Sequence, residues 1–301
     1  MDIARVFRKA KLLRTLTTLD PGEFERLRVA FEEVWQVRRH GQNYAGQTRQ
    51  RQPGAGHPGT FATAQAKLFF VWFYFKCYPL QEVMAVLFGV SQGQVSHWVG
   101  VLTPLVNEAL GRELLLPARR PADLEALLAA VPELRLPVLD GAERPVRRPK
   151  NKDDQKQNYS GKKKSHRKKN LLLSSEKRVV YLGPTSPGSV HDKKLADESG
   201  LIYPPDALVV KDTGFQGYEP PDTDTLQPKK KPRGRELHPI QKTINQIISK
   251  VRVTVEHAIA GVKRCRIVAD TFRCWRRGLV DEAMLAASGL HNLRVLTRQS
   301  A

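Results

Sequence analysis

Four short apolar runs restrict the architectures open to this chain more than any other feature. They are LRLPVLDG (134–141), NLLLSSE (170–176), VVYLGPT (179–185) and ALVVKD (207–212). Each reads as a strand, and two of them end in an aspartate. Helical patterns surround them. Residues 1–45 look helical, and in DPGEFERLRVAFEEVWQVRR Asp20 is placed as N-cap, Pro21 as first helical residue and Glu23 three on. A long helical pattern runs over about 240–264 and another over about 278–297. Strands followed by helices predict an α/β or α+β domain behind an all-helical N-terminal part.

The boundaries follow from composition. GQNYAGQTRQRQPGAGHPGT (41–60) is rich in Gly, Gln and Pro, and we take 46–60 as a linker after a helical segment 1–45. An apolar helix is expected over about 63–77, broken before Pro79, then a second over 80–88 and a third over 92–102 capped by Ser91. Gly89 sits at the turn between the last two. Short helix, glycine turn and polar-faced helix match a helix-turn-helix, which we place within 61–115. Gln92, Gln94, Ser96 and His97 are then candidates to reach DNA, and Val95, Trp98 and Val99 pack inward. Plain packing of a three-helix bundle is the competing reading. Residues 116–133, with Pro117, Pro121 and Pro132, form a connector, and 134–298 form the remaining domain.

Charge points to the partner. The 301 residues carry 50 Lys and Arg against 30 Asp and Glu, a formal charge of +20, while 41% apolar content supports a real core. A polyanion is the implied partner, nucleic acid before an anionic membrane surface. No run of 18 apolar residues and no signal peptide is present, and FFVWFYF (69–75) is too short to span a bilayer. Cys77, Cys265 and Cys274 are widely spaced and lack CxxC pairing, which argues for structural thiols in a reducing compartment.

One carboxylate stands out against this basic background. In SKVRVTVEHAIAGVKR (249–264), a helix puts Glu256 roughly 40° and Lys263 roughly 20° around the axis from Arg252, on one stripe. Val251, Val255, Ala258, Ile259 and Val262 form the apolar stripe beside it. A solvated Arg–Glu pair explains this spacing on its own. A second explanation joins Glu256 to Asp140 and Asp212, the two strand-end aspartates. Three such carboxylates form an anionic site that suits hard divalent cations. Two ions about 4 Å apart can activate water and stabilise a leaving oxygen in phosphoryl transfer. Arg252 and Lys263 would then orient Glu256 and contact phosphates. For Asp140 or Asp212 taken singly, a turn or cap role is the bland alternative. Asp192, in SVHD, is a further acidic candidate whose place suits a helix N-cap or first turn, so Asp212 is preferred.

At these residues the chain resembles a DDE transposase with an RNase H-like core, most similar to the insertion-sequence "five" family and its Harbinger-like relatives. The matching pieces are LDG (139–141), YSGKKKSHRKKN (159–170), PGSVHDKKL (187–195), VVKDTGFQGY (209–218) and RVTVEHAIAGVKR (252–264). LFGVSQGQVSHWV resembles that family's helix-turn-helix, and the resemblance spans roughly 60–297. Near the glutamate the family sets Tyr, Arg, Glu and Lys at fixed spacing; Arg252, Glu256 and Lys263 match, while Ser249 stands at the Tyr position. The resemblance implies Asp140, Asp212 and Glu256 as catalytic triad and metal ligands for two Mg²⁺ ions, with Mn²⁺ as a substitute. It further implies cleavage and strand transfer at terminal inverted repeats of double-stranded DNA, by a homodimer or higher multimer. A cytoplasmic, nucleoid-associated bacterial protein is expected.

Basic stretches flank the proposed site. Fourteen Lys or Arg lie between Arg144 and Arg178, among them Lys162, Lys163 and Lys164, and KKKPRGR occupies 229–235. Contacts from these to phosphate would position a duplex without reading it; a solvated loop is the alternative. Tyr159 and Trp275 could stack on unpaired bases. Two other functions fit the same residues: a DNA-binding regulator with an inactive catalytic fold, and a nuclease that cuts without joining.

Overall fold

The computed structural model describes residues 1–41, 47–48, 60–130 (backbone only at 128–130), 136–203, 207–232, 234, 236–274 and 276–299. Most of the expected linker, the end of the connector, Arg233, Arg235 and the stacking candidate Trp275 therefore lie outside the described residues. The chain divides into two compact units: Met1–Leu116 with Lys263–Asp270 and Cys274–Ala301, and Pro117–Val262 with Thr271–Arg273.

The first unit begins with α1 (Ile3–Phe7), α2 (Ala10–Thr17), α3 (Pro21–Gly41), α4 (Ala64–Cys77), α5 (Gln81–Phe88) and α6 (Gln92–Arg112). The start of α3 is the predicted one: Glu23 N–H donates to Asp20 Oδ1 and Asp20 N–H to Glu23 Oε2, both at 2.9 Å. In α4, Leu68 to Phe75 are all buried, which explains the apolar run there without a membrane. No helix among the described residues is long and apolar enough to cross one. Gly89 ends α5 at φ +66°, a conformation glycine adopts without strain. Ser91 then opens α6 with a reciprocal cap, its Oγ accepting from Gln94 N–H while Gln94 Oε1 accepts from Ser91 N–H. Val95 and Val99 are buried, and Trp98 stands against Trp35 and Phe61.

α6 runs ten residues beyond its expected end near 102, straight through Pro104. A proline ring inside a helix collides with the carbonyl four residues back, a cost of about 3 kcal/mol. Here that residue is Gly100, and the following turns bury Leu102, Leu105, Val106, Ala109 and Leu110. Each such burial returns about 1.5–3 kcal/mol for a large apolar side chain, which outweighs the proline.

The second unit comprises α7 (Pro121–Ala130), β1 (Val138–Pro145), α8 (Lys152–Asn158), β2 (Tyr159–Ser160), β3 (Ser165–Ser175), β4 (Arg178–Leu182), β5 (Ser186–Pro187), α9 (Asp192–Asp197), β6 (Leu208–Lys211), β7 (Asp224–Leu226) and α10 (Pro239–Val262). The sheet is mixed: β3 pairs antiparallel with both β1 and β4, while β6 pairs parallel with both β1 and β7. Three antiparallel strands continued by two parallel ones form the RNase H-like core. Leu139, Leu171, Leu173, Val209 and Phe215 belong to its apolar cluster.

Two strands differ from their sequence-based expectation. β1 does not end at Asp140; it starts at Val138 and continues through Pro145, with Asp140 as its third residue. β3 starts at Ser165, five residues before the predicted run, so part of the basic stretch is strand and not loop. Both extensions pair with each other, Glu143 opposite Lys169 and Pro145 opposite Arg167. Their charged side chains hide the pairing from apolar periodicity, and cross-strand ion pairs stabilise it.

The chain then returns to the first unit with α11 (Arg266–Ala269) and α12 (Leu279–Gln299). The sequence groups α12 with the preceding domain, but Leu290, Leu293 and the alanines 283, 286 and 287 are buried in the first unit. Asn292 Nδ2 donates to the Leu115 carbonyl at 2.8 Å there. Cys77, Cys265 and Cys274 are free thiols, and burial pushes Cys265 up to about 11.

Candidate active site

Strand register brings Asp140 and Asp212 together. In the parallel β1–β6 pair, Val138 faces Val210 and Leu139 faces Lys211. The next positions in line are Asp140 and Asp212, which places their backbones about 5 Å apart with side chains on one face. Asp140 sits inside its strand, whereas Asp212 leaves β6 and caps a short 3₁₀ turn, Thr213–Phe215. Each carboxylate accepts from the next backbone N–H, Asp140 Oδ1 from Gly141 at 2.7 Å and Asp212 Oδ1 from Thr213 at 2.6 Å. Gln227 Nε2 donates to the Asp212 carbonyl at 2.7 Å, which fixes the strand exit.

The neighbourhood is electrostatically strained. Burial pushes the Asp140 carboxyl up to about 6; the Gly141 N–H and Arg252 pull it down, and Asp212 and Asp192 push it further up. Asp192 is therefore part of the same acidic cluster. It is the first residue of α9, as its expected helix-start role requires. Its carboxylate fills space left by two glycines: a Cβ on Gly141 would stand 2.9 Å from Oδ1, and one on Gly214 2.9 Å from Oδ2. Lys169, only 5% exposed, donates from Nζ to Asp192 Oδ1 at 3.0 Å and lies 3.6 Å from Glu143.

α10 contributes differently from the sequence-based expectation. Arg252 is paired with Asp212 at 3.2 Å and not with Glu256. Glu256 lies one turn further along α10 and is exposed. Its apolar neighbours Val255, Ala258 and Val262 are buried, as the stripe predicts. Among the described residues, no three His, Cys, Asp or Glu side chains stand close enough together to hold a metal ion. Arg252 thus pairs with Asp212 and Lys169 with Asp192, and both of those carboxylates act on Asp140.

The expected DNA contacts fall in separate places. Gln92, Gln94, Ser96 and His97 are exposed on the first turns of α6. Lys162, Lys163 and Lys164 are exposed in the turn between β2 and β3. From there to Leu172, the residue opposite Asp140, the strand runs roughly 25 Å. Tyr159 is 44% exposed and meets His166 edge-on. Lys263 follows the end of α10 and belongs to the first unit.

Sequence reasoning missed Lys169, Gly141 and Gly214 as parts of the site. Lys169 hides in a basic run, and nothing short of the β1–β3 register shows which of its lysines turns inward. The two glycines lie one and two residues after the aspartates, but their purpose depends on where α9 delivers Asp192.

Comparison with known proteins adds an independent line. A family model described as DDE superfamily endonuclease matches residues 139–292. A second, the helix-turn-helix of DDE superfamily endonuclease, matches residues 63–112. The "Probable transposase for insertion sequence element IS702" of Microchaete diplosiphon is 28% identical over 221 residues, covering 73% of this chain and 76% of that protein. No solved structure matches.

Proposed function

Because the chain belongs to the DDE superfamily endonucleases, we propose that it is the transposase of an insertion sequence. In this reading it binds terminal inverted repeats through α5 and α6 and catalyses magnesium-dependent strand cleavage and strand transfer as a dimer or higher multimer. The observation that carries the reading is the register of β1 and β6, which sets Asp140 beside Asp212. Asp140 remains half-buried there with two acidic neighbours.

The donors fit a hard divalent cation, because all are carboxylates and the β1–β6 register sets two of them, Asp140 and Asp212, side by side. Asp140, Asp212 and Glu256 are the proposed ligands and catalytic residues. When bound, such a cation supplies Lewis acidity and a water of lowered pKa. The protein's own groups prepare the place. The Gly141 and Thr213 N–H groups fix the orientation of the two carboxyl groups. Lys169 holds Asp192 in its glycine cradle. Arg252 supplies positive charge beside Asp212 that can serve a phosphate as well. Lys162, Lys163 and Lys164 touch phosphates away from the scissile bond.

The test is a cleavage and joining assay on duplexes bearing the element's ends. Asp140→Asn, Asp212→Asn and Glu256→Gln each reduce cleavage below about one hundredth of wild type, beyond the range of outer-shell changes, with end binding retained. Near-normal cleavage by one variant removes that residue from the set. Pre-cleaved ends offered with a target plasmid separate a transposase, which joins them, from a nuclease, which leaves them free.

A further inference from the structure

Helices α5 and α6 each begin with a glutamine, and the two side chains meet. Gln92 Nε2 donates to Gln81 Oε1 at 2.5 Å. Gln92 is exposed, and Gln81 is half-buried at the foot of the neighbouring helix. The pair crosses the turn between the helices, so it fixes the direction in which Gln92 points.

A glutamine amide carries two N–H donors and a carbonyl acceptor. In Gln92, Gln81 uses one donor of the amide and leaves the other donor and the oxygen for a ligand at this exposed position. That remaining pattern, one donor beside one acceptor, matches the major-groove edge of adenine, where N7 accepts and N6–H donates. Gln94, the other glutamine of this turn, is disqualified by its own bond. Its Oε1 accepts from Ser91 N–H at 2.9 Å, so its amide is left chiefly as a donor. On Gln81, the oxygen is occupied and the NH₂ group remains, which suits a phosphate oxygen.

We propose that Gln92 is the residue that reads an adenine in the transposon end, and that Gln81 is a positioning residue that orients it and anchors to the DNA backbone. This rests on the end-binding role assigned above to α5 and α6. Reading by Gln92 sets which base is preferred at one position. The hydroxyl of Ser96 and the basic hairpin lysines contribute affinity or other positions.

The experiment selects duplexes from a randomised library with the full-length chain in EDTA, so that binding is read without cleavage. Wild type enriches a motif containing an invariant adenine, and replacing that base by 7-deazaadenine, which lacks N7, weakens binding. Gln92→Ala keeps the rest of the motif but loses about tenfold or more of the preference at that position. Gln92→Arg, which also reports that the variant fold binds DNA, moves the preference to guanine. Gln81→Met weakens the adenine preference by removing the acceptor. Gln81→Glu retains the acceptor, so it keeps that preference while overall affinity falls through repulsion from phosphate. A wild-type motif recovered unchanged by Gln92→Ala overturns the inference and leaves end binding by this motif intact. Absence of any enriched motif with wild type overturns both.

Discussion

At the scale of single residues, the proposed site trades stability for reactivity at Asp140. Burial is the largest influence and holds its carboxyl near 6, against 3.8 in the unfolded chain. The folded, metal-free protein therefore keeps a proton that the unfolded chain has released, and stability falls as pH rises from about 4 to about 6. Above that range the loss is complete, about 3 kcal/mol from this group. Asp140→Asn removes the charge but preserves an acceptor for the Gly141 N–H. Urea melts with chelator present are expected to show the variant more stable than wild type at pH 7 and nearly equal at pH 4. An unchanged difference across that range would mean that Asp140 is not desolvated in the folded chain. The same proton competes with a bound cation, so metal-dependent cleavage by wild type should decline as pH falls below 6.

At the scale of elements, the helix-turn-helix depends on how α6 begins. Ser91 and Gln94 satisfy two backbone donors that the helix itself leaves unpaired. Ser91→Ala removes one of these bonds and should cost about 1 kcal/mol, read as a lower melting temperature of the full chain. Base preference at the position assigned to Gln92 should persist in that variant, because Gln81 and not Ser91 holds it. Deleting 80–102 should abolish end-specific binding. In the second unit, β1 and β3 perform the corresponding task for chemistry. Their charged extension joins Glu143, Arg167 and Lys169 in a ladder of ion pairs 3.6 to 3.8 Å long. That ladder supports the half-buried end of the sheet, where Lys169 also reaches Asp192.

At the scale of the whole molecule, a formal charge of +20 on 301 residues makes association with DNA strongly salt-dependent. If the hairpin lysines, Arg252 and the helix-turn-helix together engage six or more phosphates, affinity should fall about 10³-fold or more between 50 and 200 mM salt. A log–log slope flatter than about −2 in a filter-binding titration would exclude that extent of backbone contact. The sequence alone determined much of this protein. Apolar periodicity located α4, α5, β6, α10 and the core of β3, and cap chemistry placed the starts of α3 and α6, because both are encoded within a few residues. LDG and VVKD marked the two aspartates for the same reason. Tertiary structure decided what local pattern could not carry: that Asp140 lies within its strand, that Arg252 turns to Asp212, that Asp192 enters the acidic cluster, and that α12 joins the first unit. Each of these depends on which distant segment supplies the opposite charge or the covering apolar face. A single chain read in order does not contain that pairing until its strands are in register.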